Sequence, residues 1–223
     1  MNPDDRQSNK QMLLVLGMHR SGTSMLSSIV HTLGISMGPA KDLKRSNPKS
    51  QPYGYWEDQS FVSLNCQIIK VAGGHWHKPP GRLKILTASM EHRDKISELV
   101  EKRKERNNWG WKDPRNCLCI ECYQYVFKPE DNVKYIHIIR GRQAIAQSLI
   151  KRGEKGEADM WEQLAYEHER RVRDFLNRYQ VSRYTVAYED VLRHPGYEVG
   201  RLAQHLRIVD EVLIQAAVER IKH

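Results

Sequence analysis

Met12-Leu-Leu-Val-Leu-Gly17-Met-His-Arg-Ser-Gly22-Thr-Ser24 is the stretch that decides the fold. Its first five residues are a short continuous apolar run closed by glycine, the pattern of a parallel strand buried on both faces. Over residues 23–33, Met25, Leu26, Ile29, Val30 and Leu33 recur at helical spacing and Gly34 supplies the stop. The reading is strand, glycine-containing loop, helix. A loop at that junction meets the free N–H groups of the first helical turn and the positive end of the helix dipole, so it is built to hold an anion. Small residues let the backbone wrap closely around it.

Outward from this unit the chain alternates. Residues 36–55 are rich in Pro, Gly, Ser and Lys and have no period, which reads as a long surface loop of the kind that carries function. A helix starting near Trp56 puts Phe61, Leu64, Ile68 and Ile69 on one face and breaks at Gly73 and Gly74. Pro79-Pro-Gly81 then leads into a charged helix over 83–106. Residues 109–112 are a short aromatic strand closed by Pro114, followed by an amphipathic helix to about residue 127. The clearest strand after the first is 133–139, with a helix at 143–151 behind it. A long polar helix at 159–178 buries Trp161, Leu164, Val172, Phe175 and Leu176, and 184–187 is a fourth strand. Strands alternating with helices define an α/β fold in three layers. Its central parallel sheet has about four to five strands, helices on both faces, and ligands at the carboxyl ends of the strands.

Composition bounds the rest. The 223 residues, 39% hydrophobic, suit one core, so 1–223 read as a single domain whose residues 1–10 are a flexible tail. Thirty-six Lys and Arg against 27 Asp and Glu give a net charge of +9, which calls for an anionic partner: nucleic acid, an acidic surface or a polyphosphorylated small molecule. Much of that charge is dispersed over helical stretches such as 95–106 and 170–178 with no recognition motif beside it. Solvated helix faces explain it more simply than a non-catalytic nucleic-acid-binding module does. The apolar run at 12–16 is too short for a signal peptide or a transmembrane span. Four cysteines, three of them crowded at Cys117, Cys119 and Cys122, do not make the disulfide framework of a secreted domain, and a cytoplasmic protein follows. The crowded three fall on one amphipathic helix with no fourth ligand nearby, which reads as buried thiols and no metal site.

The opening loop nearly matches the nucleotide-binding pattern Gly-x4-Gly-Lys-Ser/Thr, with Thr23 where the Lys belongs and the cation shifted to Arg20. A phosphate-loop kinase uses that Lys on the β and γ phosphates and places an Asp for Mg²⁺ at the end of a second apolar strand. Here 133–139 ends in Arg140, while Glu189 and Asp190 after the fourth strand keep a Mg²⁺ carboxylate open. The missing Lys counts against a nucleotide kinase or NTPase, which stands as the alternative reading.

His19-Arg-Ser-Gly-Thr-Ser24 after an apolar strand resembles the 5′-phosphosulfate loop of the sulfotransferases that use 3′-phosphoadenosine 5′-phosphosulfate (PAPS). A second signature of that family, a strand ending in Arg with a Ser eight residues on, is matched by Tyr135-Ile-His-Ile-Ile-Arg140 and Ser148. Tyr53-Gly-Tyr-Trp-Glu57, Trp109-Gly-Trp-Lys-Asp-Pro-Arg115 and Val186-Ala-Tyr-Glu-Asp190 resemble its bacterial-type branch. The resemblance implies a fold like that of the P-loop NTPases, and PAPS as donor with adenosine 3′,5′-bisphosphate (PAP) as product. It also implies a hydroxyl acceptor of carbohydrate or glycolipid type and no required metal. His19, Arg20, Ser21, Gly22, Thr23 and Ser24 would form the donor loop, Arg140 and Ser148 would grip the 3′-phosphate, and Tyr188 would lie against the adenine. The alternative for Tyr188 is a side chain that closes the sheet edge. Lys112 and Arg20 would stabilise the sulfonate and bridging oxygen, and Glu57 would take the acceptor proton. Its neighbours Tyr53, Tyr55 and Trp56 are expected to desolvate Glu57 and raise its pKa toward neutrality. His75 and His77, flanking Trp76, are candidates for acceptor contact or for an alternative base. Acceptor choice is expected to lie in loops 36–55 and 72–84.

Overall fold

The computed structural model describes residues 10–45 and 52–221; residues 1–9 of the expected 1–10 tail and part of the long loop lie outside them. Four strands, β1 (Gln11–Leu16), β2 (Asn108–Lys112), β3 (Val133–Ile139) and β4 (Arg183–Ala187), form one all-parallel sheet in the order β2-β1-β3-β4. The chain leaves β1 toward β2 on one side and returns to β3 on the other, so the topology reverses between β1 and β3. The carboxyl ends of such a strand pair open a crevice for a ligand.

Side-chain alternation sorts the core into two layers. Met12, Leu14 and Leu16 join Trp109, Trp111 and Tyr135 on one face, beneath α2 (Gln59–Val71), α3 (Arg82–Met90), α4 (Arg93–Lys104) and α5 (Asn116–Cys119). Leu13 and Val15 join Ile136, Ile138 and Val186 on the other, beneath α1 (Thr23–Thr32) and the C-terminal α9 (Pro195–Leu206) and α10 (Glu211–Glu219). Both faces of β1 are buried, as its uninterrupted apolar run requires. Gly110 sits opposite Leu13, where a Cβ would come within 2.2 Å of the Leu13 carbonyl oxygen. No larger residue fits between these strands without shifting backbone. A third cluster joins α6 (Arg142–Lys151) to α7 (Ala158–Arg178) through Ile145, Leu149, Trp161 and Leu164.

Several boundaries differ from the sequence reading. The helix expected near Trp56 begins at Gln59, because Asp58 caps it by accepting from Ser60 N at 3.0 Å. Trp56 instead takes a left-handed backbone, φ 55°, and donates its indole N–H to the Tyr53 carbonyl. The helix expected over 83–106 is two, broken at Glu91 and His92. The helix expected to residue 127 is one α-helical turn that tightens into a 3₁₀ helix over Ile120–Val126. Beyond β4 three helices follow that had no counterpart in the reading: α8 (Tyr188–Arg193), α9 and α10.

One buried ion pair fixes the approach to α2. Arg103 Nε donates to Asp58 Oδ2 at 2.8 Å, and its NH2 reaches Asp42 Oδ2 at 3.0 Å. Lys44 N donates to the Glu57 carbonyl at 2.8 Å. The loop is thus pinned on both sides of Glu57.

Candidate active site

The loop after β1 folds back on itself. Ser21 donates both its N–H (3.1 Å) and its hydroxyl (2.7 Å) to the Met18 carbonyl, Arg20 is left-handed at φ 67°, and Gly22 has φ 99°. Gly22 is needed twice over, since a Cβ there would also lie 2.3 Å from Tyr188 Cδ2. Each strand delivers one group to the same place: β1 the loop, β2 Lys112, β3 Arg140 and β4 Tyr188. They enclose, with Glu57, a cavity of about 220 Å³.

Most residues picked from the sequence line that cavity: His19, Arg20, Gly22, Thr23, Ser24, Glu57, Lys112, Arg140 and Tyr188. Ser21 does not; it is buried with its hydroxyl spent on the turn. Ser148 also stands back from it, accepting from Arg20 Nε at 2.9 Å. Arg140 NH1 donates to the Arg20 carbonyl at 2.8 Å, which ties the ends of β1 and β3 together across the crevice. The Arg140 guanidinium lies 4.3 Å from the Tyr188 ring centroid. Its Nε is buried without a hydrogen-bond partner among the described residues, with Glu189 Oε1 4.0 Å away. A buried donor of this kind costs free energy until an acceptor arrives.

At the centre, Lys112 Nζ donates to Glu57 Oε1 at 2.9 Å and to Ser24 Oγ at 3.3 Å; Lys112 and Glu57 are 1% and 6% exposed. Lys44 Nζ lies 3.5 Å from the other carboxylate oxygen of Glu57. This corrects the expected pKa. Burial alone would raise that of Glu57, but the charge and hydrogen bond of Lys112, with Lys44 and Arg115 behind it, outweigh burial and hold the carboxyl below its ordinary value. Burial pulls the Lys112 ammonium below the ordinary lysine value, and Glu57 and Asp113 oppose the pull. Asp113, fully buried, accepts from Arg115 NH1 at 2.8 Å and from Asn65 Nδ2 at 2.9 Å, which anchors the turn after β2. Arg20 is pulled down first by burial and then by Arg152 and Arg140.

The loop between α2 and α3 does not reach the cavity, but it leans on the loop after β1. Trp76 packs against His19 with ring centroids 4.4 Å apart, and its carbonyl is 3.0 Å from His168 Nε2. His75 and His77 face each other with Nδ1 atoms 2.7 Å apart and line no part of the cavity. His168 is fully buried, and its pKa is pushed down to about 4 by burial; His137 is likewise near 4, lowered by burial and then by Arg183 and Arg173. Unfolded histidine titrates near 6.5, so the native state binds fewer protons between pH 6.5 and 4, and stability is full above that window and lost as pH falls through it. The expected slope is about 1.4 kcal/mol per pH unit for each histidine. Urea unfolding at pH 7 and pH 5 measures it; equal stabilities at the two values would contradict the burial.

Cys117, Cys119 and Cys122 are buried, and burial pushes the Cys117 thiol up to about 12 and that of Cys122 to about 11. They are inert thiols. Among the described residues no group of three or more His, Cys, Asp and Glu is placed to hold a metal. None of the described helices is long and apolar enough to cross a membrane.

Two further residues line the cavity: Tyr53, expected from the sequence only as a neighbour that desolvates Glu57, and Arg152, which had no role from the sequence. Tyr53 lines one wall and donates its hydroxyl to the Ile221 carbonyl at 3.4 Å. Arg152 lines another from the end of α6, and the sequence signal for it is its place one helical turn after Ser148.

A parallel sheet with a tight glycine-containing loop after its first strand, cations at the next strand ends and one buried carboxylate defines an α/β fold with its cavity at the carboxyl ends of the strands. Comparison narrows the class. The model described as "Sulfotransferase family" matches residues 13–211, and the chain belongs to that family. Among solved structures it is similar in fold to the "Sulfotransferase Domain from the Curacin Biosynthetic Pathway". That similarity has a TM-score of 0.53 at 16% identity, covering 92% of this chain and 76% of that one. No curated protein matches the chain.

Proposed function

We propose that this sulfotransferase takes its sulfuryl group from PAPS and passes it to a hydroxyl of a carbohydrate or glycolipid, in the cytoplasm. The observation that carries the proposal is the meeting of Arg20, Lys112 and Arg140 around one buried carboxylate, Glu57, at the strand ends. Three fixed cations at separate strand ends suit a donor with negative charge at both its 3′ and 5′ positions.

In this reading the loop amides of residues 20–24 and the α1 dipole hold the 5′-phosphate, Arg140 holds the 3′-phosphate, and Tyr188 supports the adenine. Lys112 and Arg20 stabilise the sulfonate and the oxygen that bridges sulfur and phosphorus. Glu57 accepts the proton as the acceptor oxygen bonds to sulfur, while the electron pair of the breaking S–O bond leaves on the phosphate. Arg20 and Lys112 meet that leaving charge with positions already set by Ser148 and by Ser24 and Glu57.

The acceptor class is carried over from the bacterial-type motifs around Glu57 and Lys112. Following PAP release from PAPS across a panel of hydroxyl compounds tests it. Saccharides or glycolipids are expected to accelerate release in the presence of a metal chelator; acceleration by phenols alone would overturn the acceptor class.

A further inference from the structure

We propose that Lys44 is a positioning residue for the base: it is the resident counter-charge that keeps Glu57 a carboxylate when the donor's anionic groups compete for Lys112. The inference rests on the donor and base reading above and adds a residue outside the family motifs.

Backbone contacts put Lys44 beside Glu57. Lys44 N donates to the Glu57 carbonyl at 2.8 Å and Gln59 N to the Asp42 carbonyl at 2.9 Å, with Leu43 bridged antiparallel to Asp58 between them. The Lys44 ammonium then lies 4.2 Å from the centroid of the Tyr55 ring and 3.5 Å from Glu57 Oε2. Glu57, Tyr55 and Lys112 line the cavity; Lys44 does not, and its side chain is 40% exposed. The carboxylate is therefore held from two sides, Oε1 by Lys112 on the cavity side and Oε2 by Lys44 on the solvent side.

Lys112 has two duties in the proposed reaction. In the free protein its ammonium neutralises Glu57 at 2.9 Å, and in the donor complex it faces the sulfonate and the bridging oxygen. A polyanion brought to that ammonium weakens its hold on Glu57 and adds negative charge nearby, and both effects favour protonating the buried carboxyl. A protonated Glu57 cannot take the acceptor proton. The other titratable or charged groups that face Glu57 do not replace Lys112. Arg115, after β2, is bound to Asp113 at 2.8 Å, Cys66 on α2 is a thiol, Tyr55 carries no cation, and His19 and Arg20 share the cavity with the donor. Lys44 stands outside the cavity, so donor binding leaves its pairing with Oε2 in place.

Calorimetric titration with PAP at pH 6 and pH 8, in buffers of different ionisation enthalpy, gives both the affinity and the protons exchanged on binding. It is run on the wild type, Lys44→Met and Lys44→Arg, and on Glu57→Gln with and without Lys44→Met. Methionine keeps an apolar stem over Tyr55 and the backbone rung to Glu57, so the variant should melt close to the wild type. Protons exchanged by the nucleotide's own phosphates are common to all the proteins, and the differences between them isolate Glu57. Lys44→Met is expected to take up more protons than the wild type at pH 6 and to bind PAP up to about tenfold more weakly at pH 8. That is the Coulomb effect of one charge at 3.5 Å in a water-like medium, about one pKa unit. Lys44→Arg should match the wild type, and in the Glu57→Gln background Lys44→Met should change neither quantity. Equal proton counts in Lys44→Met and the wild type, or an effect that persists in Glu57→Gln, would overturn the role of Lys44 while leaving the donor reading intact. A wild type that binds no PAP would overturn the donor reading and this inference with it.

Discussion

Glu57→Gln is expected to keep donor binding within a few-fold of wild type and to lower turnover by about 10² to 10⁴, the range for losing a positioned base. Glutamine keeps an oxygen for Lys112 to donate to but cannot take the acceptor proton. The variant also strips a buried ammonium of its counter-charge, so it should be less stable without ligand and gain more from PAP than the wild type does. Measuring kcat beside the PAP dissociation constant checks both points. A near-normal kcat would remove Glu57 from the chemistry and return attention to His75 and His77, though neither lines the cavity.

Lys112→Ala is the mirror experiment and has a different signature. Removing the ammonium leaves Glu57 buried with Lys44 at 3.5 Å as its remaining close cation, and burial then drives the carboxyl pKa upward. The free protein should lose about 3–5 kcal/mol, the cost of leaving one member of a buried pair uncompensated. Turnover should fall by about 10² to 10³, the size of effect seen when a fixed donor at a developing charge is removed, with donor affinity affected much less. The two parts separate by kinetics: equal losses in kcat and in donor affinity would mean that Lys112 only binds. Together the variants test whether the 2.9 Å contact joins a base to the group that holds the sulfonate.

Much of this arrangement was legible before any coordinates. The β3 strand runs over the residues its pattern picked out, because Val133, Tyr135 and Ile139 on one face and Ile136 and Ile138 on the other are apolar and the run ends cleanly at Arg140. The loop after β1 could be placed because glycine, small residues and helix onset all agree locally. Other features depended on contacts distant in sequence. The break at Glu91 and His92 carries neither Gly nor Pro, so nothing local announces it. The helices after β4 were missed although Val199, Leu202 and Leu206 recur at helical spacing; α8 starts at Tyr188 directly from the strand, with no turn residue to mark it. Within the site, the residue types at the strand ends could be read, but the pairing of Lys112 with Glu57, 55 positions apart, could not. The aromatic neighbours of Glu57 suggested a raised pKa, and the partner across the fold reversed it. Arg152 escaped notice because the fold alone brings it to the cavity beside Arg20 and Arg140, on two other elements.

The account stands most directly on the donor. Thermal melting in the presence of adenosine 3′,5′-bisphosphate and a metal chelator, beside ATP with Mg²⁺ and beside duplex DNA, measures it in one experiment. A ligand that binds only the native state stabilises by about 2.7 kcal/mol at a hundred times its dissociation constant. The account predicts that the bisphosphate raises the melting temperature without metal and that ATP with Mg²⁺ and DNA do not match it. Stabilisation by ATP with Mg²⁺ while the bisphosphate leaves the melting temperature unchanged would contradict it.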